Sequence, residues 1–155
     1  MDNLPILSNI LQRKEAALSQ ILSITENQAS LYESLPSDEE ALKARLDFFT
    51  QMADEKQTLI DEIIKMDEVF AQIFEGMGDR LETVVKAHAA EFKAIQAQVA
   101  HVMELDVKVR AMEDRTMGLI TAERNTLKKQ KSHANANKAQ LLNLYKANAK
   151  RKDGQ

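Results

Sequence analysis

The chain has 155 residues, no cysteine and a formal net charge of −3, which excludes a disulfide frame and any thiolate metal site and leaves room for one domain. Four glycines, two prolines, 5% aromatics and 29% charged residues describe long helices and exclude a strand-rich fold. The leading stretch MDNLPILSNILQRKEAAL has no basic n-region and is interrupted by Arg13, Lys14 and Glu15, so neither a signal peptide nor a membrane span is expected.

The first predicted helix runs from about Leu4 to Glu33. Leu4, Leu7, Leu11, Leu18, Ile21 and Ile24 repeat at threes and fours and form one stripe. Pro5 falls in the first turn, where its missing N–H is tolerated. The stretch SLPSDEE then ends the helix, because Pro36 disfavours the helical conformation at Leu35. Ser37 with Glu40 three residues later is a capping-box pattern, which predicts a new helix from Ser37.

The second helix carries Leu42, Leu46, Phe49, Ala53, Lys56, Ile60, Ile63, Asp67, Phe70, Phe74 and Met77 on a 4–3 repeat. Such a repeat predicts coiled-coil-like packing. Lys56 and Asp67 are charged seam positions that snorkel to water, pair across helices or set the register. The pairing expected for Lys56 is with a carboxylate of the third helix, Glu113 or Asp106. Gly76 and Gly78 weaken the helix, and the chain reverses somewhere between Gly76 and Ala90.

A third long helix is expected from about Ala90 to Lys131, with Phe92, Ile95, Val99, Val102, Asp106, Val109, Met112 or Glu113, Thr116, Ile120 and Leu127 as its stripe. SHANAN, residues 132–137, has low helix propensity and reads as a hinge. A short amphipathic helix follows, in which Leu141, Leu144 and Tyr145 share one face. The expected organisation is therefore a long helical bundle over residues 1–131 and a basic arm over residues 132–155. The fold class is all-α: an elongated antiparallel bundle of three long helices with a short basic C-terminal helix.

Charge separates the same two parts. Residues 128–155 hold eight basic groups and one acid, a formal +7, and the other residues hold 13 basic and 23 acidic groups, a formal −10. The basic arm with its apolar group Leu141, Leu142, Leu144 and Tyr145, flanked by Lys138 and Lys146, is the candidate partner-binding surface. A plain solvated tail is the competing account, yet a disordered tail has no need of an apolar cluster at helical spacing.

No phosphate loop, nucleophile context or histidine cluster is present, so no catalytic residue, metal or cofactor is expected. His88 with Glu91 and His101 with Glu104 are H-x-x-E steps, the reverse of the order used in di-metal bundles. Nucleic acid is not the expected partner, because Tyr145 is the arm's single aromatic and the acidic remainder repels phosphate.

The runs EKQTLIDEIIKMDEVFAQIF, Glu55 to Phe74, and ELDVKVRAMEDRTMGLI, Glu104 to Ile120, resemble the small flagellar type III export chaperones of the FlgN and FliT kind, in the form found in Gram-positive, clostridia-like bacteria. The resemblance rests on Lys56, Leu59, Ile60 and Ile63, on Met66, Asp67 and Phe70, on the return helix with Glu113, and on the basic helix with Tyr145. It covers about Leu7 to Lys150. It implies a cytoplasmic protein without enzymatic activity that binds the helical end of a late axial substrate, a hook–filament junction protein or the filament cap protein. It also implies prevention of premature association and delivery to the export ATPase and gate. A C-terminal helical part that contacts the substrate is implied as well. The alternatives from other classes are a coiled-coil adaptor without an export client and a regulator whose arm binds nucleic acid or a transcription factor. The stripes suit a monomer or a dimer.

Overall fold

The computed structural model describes residues 3–153, with side chains described through residue 147. The described residues are 94% helical and contain no strand. The fold is an all-α bundle of three long helices, α1 (Asn3–Ser30), α2 (Glu39–Met77) and α4 (Ala89–Asp153), with the short helix α3 (Leu81–Ala87) between the last two. By packing, the chain divides into two units, Met1–Met117 and Gly118–Gln155.

In the first unit, α1 is the buried helix. Leu4, Leu7, Ile10, Leu11, Ala17, Leu18 and Ile21 are all buried, a stripe that adds Ile10 and Ala17 to the expected one, while Ile24, expected in it, is half-buried. Lys14 Nζ meets Asp67 Oδ1 at 2.7 Å and Gln28 Nε2 donates to the Phe49 carbonyl at 3.3 Å, so α2 runs antiparallel to α1. Gln98 Nε2 donates to the Ser8 carbonyl at 3.4 Å and His101 Nε2 lies 3.0 Å from Glu15 Oε1; α4 therefore packs parallel to α1.

α2 begins one turn after Pro36, but its cap is Asp38 and not Ser37. Asp38 holds an extended backbone, φ −155°, and its Oδ1 accepts from Ala41 N at 2.7 Å. A cap oxygen serves the N–H three residues on, and Ala41 rather than Glu40 occupies that place. Glu39 and Glu40 then lie in the first turn, where the helix dipole favours acids. The expected start at Ser37 is thus corrected to Glu39.

The α2 stripe is only partly covered. Ile63, Phe70 and Ile73 pack against the core from half-buried positions, and Met66 and Met77 are buried. Leu42 and Leu46, expected in the seam, are exposed. The reason is length: α1 stops at Ser30, and Gln28 already reaches Phe49, so the first turns of α2 extend past it. At this end Tyr32 meets Phe49 edge to face at 5.8 Å, with the Arg45 guanidinium 4.2 Å from the Tyr32 ring centroid.

Two breaks make the reversal. Gly78 has φ +48° and its N–H donates to the Glu75 carbonyl, a conformation that L side chains rarely adopt. A 3-10 turn (Gly78–Arg80) leads into α3, and His88 at φ −128° closes α3 before α4 starts at Ala89. In α4, Ile95, Val102, Leu105, Val109 and Thr116 are buried. Leu105, which the expected stripe omitted, shares the core with Leu7 and Val102, while Asp106 is half-buried and Leu127 is exposed.

In the second unit, residues 118–153 are helical throughout, and residues 132–137 do not form a hinge. Neither Gly nor Pro occurs between Leu119 and Asp153. Ser, His and Asn each disfavour helix by only about 0.5 kcal/mol relative to Ala, and the interleaved Ala134 and Ala136 are the strongest helix formers. The expected separate C-terminal helix is therefore a continuation of α4.

Candidate partner-binding surface

The basic stretch places its apolar group on the outside of a regular helix. Leu141, Leu142, Leu144 and Tyr145 are 68%, 53%, 64% and 76% exposed. Leu141, Leu144 and Tyr145 fall at i, i+3 and i+4 and form one face. Lys138 lies one turn ahead of Leu141 and Leu142, Lys146 follows Tyr145, and both are exposed. Side chains this apolar, exposed together on one helical face, fit the groove-binding mode of helix recognition, with the lysines as a charged rim. Lys150, Arg151 and Lys152, counted in the basic charge, lie outside the described side chains.

The charged seam residues behave differently from one another. Lys56 Nζ lies 3.4 Å from Glu113 Oε1 and 3.4 Å from Thr25 Oγ1, joining α2 to α4 and α1. Its side chain is 14% exposed against 43% for Glu113. Thr25, wholly buried, also donates to the Ile21 carbonyl at 2.7 Å. Asp67 reaches the surface and meets Lys14. Asp106, the other carboxylate considered for Lys56, instead takes Arg110 Nε at 3.1 Å one turn on.

His88 Nδ1 lies 3.9 Å from Glu91 and His101 Nδ1 3.9 Å from Glu104. His101 and Glu104 share α4, whereas His88 is the residue that closes α3 and Glu91 lies in the first turn of α4; among the described residues no group of three or more His, Asp or Glu side chains is placed to hold a metal ion. Among them, too, no helix is long and apolar enough to cross a membrane.

A second exposed apolar series was missed in the sequence. Met103, Val107 and Met117 line the face of α4 that points away from its buried residues. The signal was present as an i, i+4 pair, but the stripe through Val102 and Val109 absorbed the periodicity. No family model, no curated protein and no solved structure matches the chain.

Proposed function

We propose that the chain is a cytoplasmic flagellar export chaperone. It binds the helical end of a late axial substrate, a hook–filament junction or filament cap protein, keeps that end from premature association and passes it to the export apparatus. The observation that carries this is the exposed apolar face Leu141, Leu144 and Tyr145 on a lysine-rimmed helix. The sequence resemblance described above supplies the substrate class.

Full burial of each of the three side chains contributes about 1.5–3 kcal/mol, reduced by about 0.5–1.5 kcal/mol for ordering it. The net for three is on the order of 3 kcal/mol, or about a hundredfold in Kd. Calorimetric titration of purified junction and cap proteins into the full chain should give one-to-one binding. The triple variant Leu141→Ala/Leu144→Ala/Tyr145→Ala should bind about a hundredfold more weakly. Absence of binding to every axial protein defeats the chaperone reading; undiminished binding by the triple variant removes the arm as its site.

A coiled-coil adaptor is the second reading, favoured by the exposed Leu42 and Leu46 at the start of α2. An adaptor stays in a constitutive complex of folded proteins, whereas the chaperone holds one monomeric client.

A further inference from the structure

On α4 the outward face carries a shallow apolar depression lined by Ala100, Met103, Glu104, Val107 and Lys108. Val107 is 66% and Met117 60% exposed, and between them stand the exposed Arg110 and Asp114. At about 100° per residue these four side chains lie within about 80° of one another around the helix. The buried Val102, Leu105, Val109 and Thr116 occupy a separate sector centred about 130° away around the helix.

The order along this face is Val107, Arg110, Asp114, Met117, with spacings of three, four and three. Read from either end, it is apolar, charged, charged, apolar, and the two charges are opposite. Such a pattern is complementary to itself under a two-fold axis perpendicular to the helix near Met112. We propose that this face of α4 docks on the same face of a second copy of the chain, antiparallel. Val107 then meets Met117 of the second copy, and Arg110 meets Asp114 of the second copy, each contact occurring twice.

The charges also select the register. Parallel pairing at the same level sets Arg110 against Arg110 and Asp114 against Asp114. An antiparallel slip of two residues on each helix, with the axis at Arg110, brings the two arginines together. Of these three arrangements, only the axis near Met112 sets Arg110 against Asp114 in both contacts. Asp106 engages Arg110 through Nε, which leaves the terminal nitrogens of the guanidinium fork for a second carboxylate. A contact of about three turns is small by the standard of stable interfaces, so the dimer is a weak one. The inference is independent of the export-chaperone reading.

Sedimentation equilibrium of the full chain from about 1 µM to about 1 mM, a range suited to small interfaces, tests it. The wild type should pass from monomer to dimer. Arg110→Asp and Asp114→Arg should each bind themselves at least about tenfold more weakly, because both cross-contacts become like-charged. An equimolar mixture of the two variants should dimerise again, since every Asp then faces an Arg. Far-UV circular dichroism confirms that these exposed substitutions leave the helix intact. A wild type that stays monomeric throughout overturns the proposal. So does a dimer indifferent to either reversal, or a mixture that remains monomeric.

Discussion

Removing Glu113 should harm the bundle more than removing its partner Lys56. The two charges are 3.4 Å apart, and at an effective dielectric of about 20 that separation gives about 5 kcal/mol of gross attraction. Water at the 43% exposed Glu113 side chain and the lost hydration of Lys56 offset most of it, so the net pair is worth on the order of 1 kcal/mol. Truncation is another matter. Glu113→Gln leaves the half-buried Lys56 ammonium beside a hydroxyl and a neutral amide, at a cost of about 1–3 kcal/mol. Lys56→Met removes the ammonium together with its desolvation penalty and keeps an unbranched apolar stem in place. Glu113 then turns to the solvent it already touches, and stability should stay within about 1 kcal/mol of wild type. Urea unfolding followed by circular dichroism measures both variants. In a chain of this length each kcal/mol moves Tm by about 2–4 °C. In the double variant Lys56→Met/Glu113→Gln, most of the loss caused by Glu113→Gln should disappear. A Lys56→Met variant as unstable as Glu113→Gln refutes the idea that the uncompensated ammonium is the source of the damage.

Two further predictions concern the ends of α2. Asp38→Ala should lower stability by about 1 kcal/mol by removing the acceptor for Ala41 N, while Ser37→Ala should leave it unchanged; the reverse order by urea unfolding contradicts the cap assignment. A Cβ at Gly76 or Gly78 meets nothing within 4 Å, so backbone conformation alone decides the two substitutions. Gly76→Ala, in the last turn of α2, should stabilise by at most about 1 kcal/mol, and Gly78→Ala, held at φ +48°, should destabilise by about 1–3 kcal/mol, both read as shifts in Tm.

The helices were legible in the sequence because long amphipathic stripes are a repeated signal: α1 buries five of the six residues its periodicity implied, and α4 buries Ile95, Val102 and Val109 while Phe92 and Val99 stay half-buried. Failures came where one residue or one length decides. Ser37 and Asp38 both offer a cap oxygen, and only the backbone path selects Asp38. Leu42 and Leu46 keep the seam register, yet their exposure follows from where α1 stops, which periodicity along α2 does not encode. At residues 132–137 weak propensities mimic a break although no true breaker is present. In the candidate site, the shared face of Leu141, Leu144 and Tyr145 was visible from spacing alone. The series through Met103, Val107 and Met117 was not, because a buried stripe on the same helix is the stronger periodic signal.

The first unit is unevenly filled along its axis. Leu4, Leu7, Leu11, Met77, Ile95 and Leu105 belong to one apolar cluster, whereas Thr25, Gln28, Lys56 and Thr116 make the other end polar. Burial of apolar surface sets how much free energy a local opening must overcome. Opening therefore begins at the polar end, and the bundle behaves as two layers of different persistence. Amide hydrogens near Gln28, Phe49 and Lys56 should exchange with solvent through partial unzipping of that end, while those beside Leu7 and Leu105 should be released only when the whole unit unfolds.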